Sequence, residues 1–249
     1  MSNDISLDYK PGVDMNKKIF TNIVGSKSTH ILLWTIDDYL VEDFFSKAIR
    51  QLSPSLSSSG GLRFTAGTGN SQVVLPRCYV DELPFPQNIL QYSSSFEAYI
   101  YFIMRRDIAL KIFRQVLEIS GDLSVYEYAN ITEFFITLSS FCFENYEFDS
   151  GNIFQISSWR PGSLGTLAYS PSRDGLICQK PRLIQMMKRL KLCLTHNINL
   201  RIQDQNISVQ LANQCIFNWL TLNPTAYKQI KDINSFQVSD HLRKKFLQI

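Results

Sequence analysis

The stretch from Ser94 to Ile119, SSFEAYIYFIMRRDIALKIFRQVLEI, sets the tightest limit on how this chain can fold. Ser94 or Ser95 can accept a hydrogen bond from a free N–H of a first helical turn, and Gly121 with Asp122 ends the helical pattern. At about 100° per residue, Asp107, Lys111, Arg114 and Glu118 fall on one narrow polar stripe. Phe102, Ala109, Leu110, Phe113, Val116 and Leu117 cover the opposite side. From Phe96 to Met104 the segment is apolar all round apart from Glu97. A helix of that kind cannot face water, so its own chain or partner subunits must enclose it. The spacing predicts a long central helix, with Arg105 and Arg106 where it leaves cover.

Composition narrows the class. The chain has 249 residues, 45% hydrophobic and 19% charged, with a mean hydropathy of -0.08. That suits neither a disordered segment nor an integral membrane protein. Aromatics reach 12%, which leans toward a protein that buries surface against partners. A net charge of +3 is too small to point to nucleic acid or anionic lipid. Cys78, Cys142, Cys178, Cys193 and Cys215 are scattered and never paired as CxxC, the pattern of reduced thiols in a cytosolic protein. The N-terminus lacks the apolar core of a signal peptide, and no run approaches the ~20 apolar residues of a spanning helix. The expectation is a soluble, intracellular protein.

Along the chain, residues 1–30 read as an extended N-terminal arm broken at Pro11-Gly12. Residues 31–150 read as a mainly helical half with a small β-hairpin. DDYLVEDFFSKAIRQL carries a helical period, and Ser55 to Gly61 reads as a flexible loop. LRFTA and SQVVL alternate as strands around a turn at Gly67 to Asn70. Val125 to Phe143 is a second helix, rich in aromatics and β-branched residues that compete for strand. Residues 151–249 read as a mixed α/β half with partner-facing loops. NIFQISSW and LICQK are strands, PRLIQMMKRLKLCL is a helix with Leu183, Met186, Met187, Leu190 and Leu194 inward, and NINLRIQ with ISVQL forms a β-hairpin. The basic face Arg182, Lys188, Arg189 and Lys191 reads as a solvated face, with an acidic partner as the alternative. The fold class is therefore α+β: a long central helix with flanking helices, short β-hairpins and a β-rich C-terminal half.

Chemistry-bearing patterns are missing. His30, His196 and His241 have no zinc-ligand neighbours, and phosphate-loop, dinucleotide and nucleophile-elbow patterns are absent. Glu133, Glu144, Glu147 and Asp149 read as surface acids rather than a glycosidase pair. No enzyme, cofactor or metal is expected. A helix-turn-helix could be imagined in the tail LTLNPTAYKQIKDINSFQVSDHLRKKF, but Pro224 interrupts it and basic residues gather only at Arg243 to Lys245.

The order of features from Asp38 to Leu222 resembles the TssG-type wedge protein of type VI secretion baseplates. DFFSKAIRQL is similar to that family's opening FFxLxRLLE helix, and GLRFTAGTGNSQVVLP to its Arg-Phe strand and apolar-Pro segment. LPRCYVDE followed by FEAYIYFIMRRDIALKIFRQ resembles the LPxHYTE-like motif and the helix after it. FQISSW, ending at Trp159, and NINLRIQ with LANQCIFNWL are similar to the strands and the Trp-Leu segment of its C-terminal side. Two departures stand out: the Gly-rich stretch before Leu75-Pro76 is missing, and Met104-Arg105 replaces the family's Asn-His.

The resemblance implies a reduced, divergent wedge subunit, cytoplasmic and assembled at the inner face of the cell envelope. Its partners would be TssF-type subunits in two copies, TssK-type adaptor trimers and a sheath-initiating TssE-type subunit around the spike, without nucleic acid or membrane insertion. Leu75, Pro76, Arg77, Tyr79, Arg105, Arg106, Trp159 and Arg160 are the candidate partner-binding residues. For Arg105 and Arg106 a partner's carboxylates compete with an intramolecular salt bridge or loop carbonyls. The loops Ser55 to Gly61 and Gly162 to Gly175 are candidates for holding the adaptor. The alternative function is a DNA-associated or regulatory protein using the basic C-terminal tail.

Overall fold

The computed structural model describes residues 15–32, 38–40, 58–66, 71–74, 83–94, 103–120, 125–143, 146–158 and 180–222, with side chains over 16–32, 83–94, 103–120, 131–143 and 184–221. Where side chains are described, 82% of the residues are helical. Six helices are present among the described residues: α1 Met15–Gly25, α2 Gln87–Ser93, α3 Arg106–Ser120, α4 Val125–Cys142, α5 Lys180–Ile202 and α6 Gln205–Leu222. The described residues are predominantly helical, which overturns the expected α+β class with a β-rich C-terminal half.

The error lies at Asn197 to Leu211. NINLRIQ alternates like a strand, yet Ile198 and Ile202 stand four and eight residues after Leu194 and continue the inward row of α5. Ile198 is wholly buried, while Leu200, on the opposite side, is 52% exposed. α5 ends where Gln203 adopts φ 55°, the left-handed conformation usual just past a helix C-terminus. Asp204 then caps the next helix, its Oδ1 accepting from the Ile207 N–H at 3.0 Å. In α6 the row Leu211, Ala212, Cys215, Ile216, Trp219 and Leu220 is buried. The expected hairpin is two antiparallel helices joined by two residues.

The central helix is also placed differently. Ile103–Arg105 is a strand, β5, and α3 begins only at Arg106. β5 pairs antiparallel with β1, His30–Leu32, in the register Ile31 to Met104. The run ahead of α3 is aromatic and β-branched, and a short all-apolar run cannot be assigned to helix or strand by periodicity. The helix buried on every side is α4: from Ile131 to Cys142 every residue is buried except the half-buried Glu133. Two of its hydroxyls are satisfied inside the helix, Thr137 donating to the Glu133 carbonyl at 3.0 Å and Ser140 to the Thr137 carbonyl at 2.6 Å.

One core runs from Ile23 of α1 to Leu220 of α6, centred on Phe113, Phe134, Phe135 and Leu138. The Phe134 ring meets Trp219 at 5.9 Å, and Tyr92 meets Phe141 at 5.6 Å, both tilted. α1 occupies part of the segment expected to be an extended arm, and Ile19, Phe20 and Ile23 pack it against this core. The other strands are described by their backbone: β2 Asp38–Leu40, β3 Ser58–Ala66, β4 Ser71–Val74 and β6 Tyr146–Ser158. β3 pairs antiparallel with β4 and β5 and parallel with β6, and β2 pairs with β6, giving a six-stranded sheet. β3 begins at Ser58, so Ser58 to Gly61 is strand rather than part of a flexible loop, and Asp38 to Leu40 is strand rather than the start of a helix. Among the described residues no helix is long and apolar enough to cross a membrane.

Candidate partner-binding groove

Among the expected partner-binding residues, Arg105 and Arg106 are the two the structure describes, and both engage their own chain. Arg105 Nε donates to Asp107 Oδ1 at 2.9 Å, and its Nη2 pairs with the other carboxylate oxygen. That bond holds the Asp107 carboxyl below its ordinary range, with opposing desolvation and the attraction of the guanidinium as lesser causes. Arg106 Nε donates to the Ile23 carbonyl at 2.9 Å and Nη2 to the Val24 carbonyl at 2.7 Å, closing the C-terminus of α1. Leu75, Pro76, Arg77, Tyr79, Trp159 and Arg160 lie outside the described residues. So do the helix expected at Asp43 to Leu52, the Gly162 to Gly175 loop, Cys78, Cys178, His241 and the tail from Asn223.

The structure places a different site between α3 and α5. A groove of about 490 Å3 is lined by Lys111, Arg114, Gln115 and Glu118 on one wall. Leu192, Cys193, His196, Asn197 and Leu200 form the other wall, and Phe143 closes one end. The helices run antiparallel, Glu118 lying beside Cys193 and Gln115 beside Asn197. Their spacing is set by a reciprocal amide pair, Asn197 buried and Gln115 half-buried. Asn197 Nδ2 donates to Gln115 Oε1 at 2.9 Å, and Gln115 Nε2 donates back to Asn197 Oδ1 at 3.0 Å. Asn197 Nδ2 also reaches the buried Ser139 Oγ of α4 at 2.9 Å, so one side chain joins three helices.

Above that floor Leu192 is 70% exposed and Leu200 52%, with the exposed His196 between them on the same face of α5. Lys111 and Arg114 are exposed on the facing wall. Arg201, the neighbour of Leu200, donates to the Phe141 carbonyl at 2.9 Å and stacks over the Phe85 ring at 4.7 Å, fixing this end of α5.

The three described cysteines are buried thiols without a disulfide partner. Burial pushes the Cys215 thiol up to about 12, partly offset by a hydrogen bond with Ser93. Burial, reinforced by the nearby Glu118, does the same for Cys193. Cys142 is raised further by burial. Each stays protonated at neutral pH, and Cys193 donates to Glu118 Oε2 at 3.8 Å. Among the described residues no group of three His, Cys, Asp or Glu side chains could hold a metal ion.

Sequence reasoning missed this groove although its parts were visible. Lys111, Arg114 and Glu118 lie on the polar stripe of the predicted central helix, and Lys188 and Arg189 on a predicted basic face. Leu192 stood off the inward row of a helix already expected, and Leu200 was hidden while NINLRIQ was read as strand. No protein-family model matches the chain, and no curated protein matches it either.

Proposed function

We propose that this chain is a structural subunit whose helical body docks protein partners rather than turning over a substrate. The observation that carries the reading is the pair Leu192 and Leu200, exposed two turns apart on the lip of an open groove. Large side chains left in water on the rim of a preformed concavity suit a partner surface better than a solvated face.

The assembly that the sequence resembles is the wedge of a type VI secretion baseplate, at the inner face of the cell envelope. There this chain would bridge two TssF-type subunits, TssK-type adaptor trimers and a TssE-type sheath initiator. Support for that assembly rests on DFFSKAIRQL, GLRFTAGTGNSQVVLP, LPRCYVDE and FQISSW. The segments NINLRIQ and FEAYIYFIM lend it none, since the first is helix and the described end of the second is strand. Co-expression with TssF- and TssK-type proteins tests the proposal. A stable complex is expected, weakened by Leu192→Asp with Leu200→Asp while the helical circular dichroism is unchanged. A monomer that co-purifies with neither, whatever the state of these two leucines, refutes it.

A further inference from the structure

The flanks of the α3–α5 groove are basic. Lys111 and Arg114 stand exposed on the α3 wall, and the exposed Lys188 and Arg189 continue the α5 face one turn below Leu192. Among the described residues, Lys111, Arg114 and Lys188 meet no carboxylate. Glu118 is the one acid among the lining residues, against the two cations Lys111 and Arg114. Its carboxylate accepts from Cys193, and its backbone carbonyl accepts from Arg189 Nη1 at 3.3 Å. The groove therefore offers an apolar lip flanked by Lys111, Arg114 and Lys188, which meet no carboxylate among the described residues.

We propose that this groove takes an acidic amphipathic α-helix of a partner protein, its apolar face on Leu192 and Leu200 and its carboxylates toward Lys111 and Arg114. The inference rests on the docking role proposed above and adds the chemistry of the partner. Geometry favours a helix. Leu192 and Leu200 are about 12 Å apart along α5 at ~1.5 Å per residue, close to the spacing of apolar residues two turns apart on a bound helix. Both walls are helices whose backbone groups are already bonded, so no strand edge is open for an extended peptide. A second copy of α5 would bring Lys188 and Arg189 against the same cations, and like charges disfavour that pairing. A nucleic acid would find leucines where phosphates need donors.

The test uses the full chain against a displayed library of 18-residue helices with leucines fixed on one face and Glu, Lys, Gln or Ser at the flanking positions. Selected helices are expected to carry Glu at the flanks and to bind more weakly as salt rises. Leu192→Asp with Leu200→Asp should reduce binding at least tenfold. Lys111→Glu with Arg114→Glu should reduce it severalfold and transfer preference to Lys-flanked helices. All four positions are exposed, so unchanged melting serves as the folding control.

Selected helices without charge bias that still depend on the leucines overturn the acidic partner alone and leave the docking role standing. If no helix is selected, the helical partner is overturned, and the co-expression experiment above decides the docking role separately. Retention of a random DNA duplex that is lost in Lys111→Glu/Arg114→Glu but not in the leucine variant would assign the cations to nucleic acid. A dimer in light scattering that Leu192→Asp dissolves would assign the groove to a second copy. Either result overturns the proposal.

Discussion

Replacing Asn197 by alanine should loosen the α3–α4–α5 junction more than any change on the groove lip. Asn197 is 1% exposed, and its amide makes three hydrogen bonds, two with Gln115 and one to Ser139. Gln115 is half-buried and can turn toward water, so its share of the loss is small. Ser139 is fully buried, and its hydroxyl is stranded when the amide is removed. An unmade bond at a buried polar group costs about 1–3 kcal/mol, and the vacated space adds more, so about 3 kcal/mol is expected. For a chain of this size that corresponds to a fall in Tm of about 6–12 °C. The assay is urea and thermal unfolding of wild type, Asn197→Ala, Ser139→Ala and the double variant. The double variant should recover about 1–2 kcal/mol of the summed single losses, because no hydroxyl is then left stranded. An Asn197→Ala loss below about 0.5 kcal/mol, or strict additivity in the cycle, would refute the junction.

Leu194→Ala should cost about 2–5 kcal/mol through a core cavity, whereas Leu192→Ala, two residues earlier, should stay within about 0.5 kcal/mol; urea midpoints compare the two. Gln203→Gly should stabilise by about 0.5–1 kcal/mol in the same assay, since φ 55° is strained for glutamine and free for glycine. Arg106→Ala should free the Ile23 and Val24 carbonyls, and hydrogen exchange should rise across Met15–Gly25 with little change in α6. The Cys215 thiol is raised in the folded state from 9.0 to about 12, so the folded chain holds its proton more tightly than the unfolded one. The stability this contributes is complete below pH 9 and is lost as pH rises toward 12, and Cys215→Ala should flatten that part of a stability-against-pH curve.

Local sequence chemistry was enough for several elements. The α4 helix was expected at Val125 to Phe143 and stands at Val125–Cys142, despite residues that also suit a strand. A continuous apolar surface on a segment that long can be covered only inside a helical core. Met186, Met187, Leu190 and Leu194 point inward as their spacing demands. The paired strands at Arg63–Ala66 and Ser71–Val74 follow from alternation on either side of the glycine-containing segment 67–70.

Other features needed neighbours to decide them. Whether FEAYIYFIM ends as helix or strand depended on His30 to Leu32 being available to pair with Ile103 to Arg105. The strands that pair with it, at His30 to Leu32 and Ser58 to Ser59, lie far from that run in the sequence. The same holds for NINLRIQ, where a period of two and a period of 3.6 both fit seven residues. The outcome was set by the core receiving Ile198 and Ile202 and by Asn197 finding Gln115 and Ser139. The groove belongs wholly to that second class. Lysines and leucines spaced along two separate helices become one surface only when tertiary packing lays α3 antiparallel to α5. By itself the sequence determined which residues must be hidden, because apolar burial depends on residue type and local period. Which residues share an exposed face was decided by packing, since that depends on contacts between positions about 80 residues apart, such as Gln115 with Asn197.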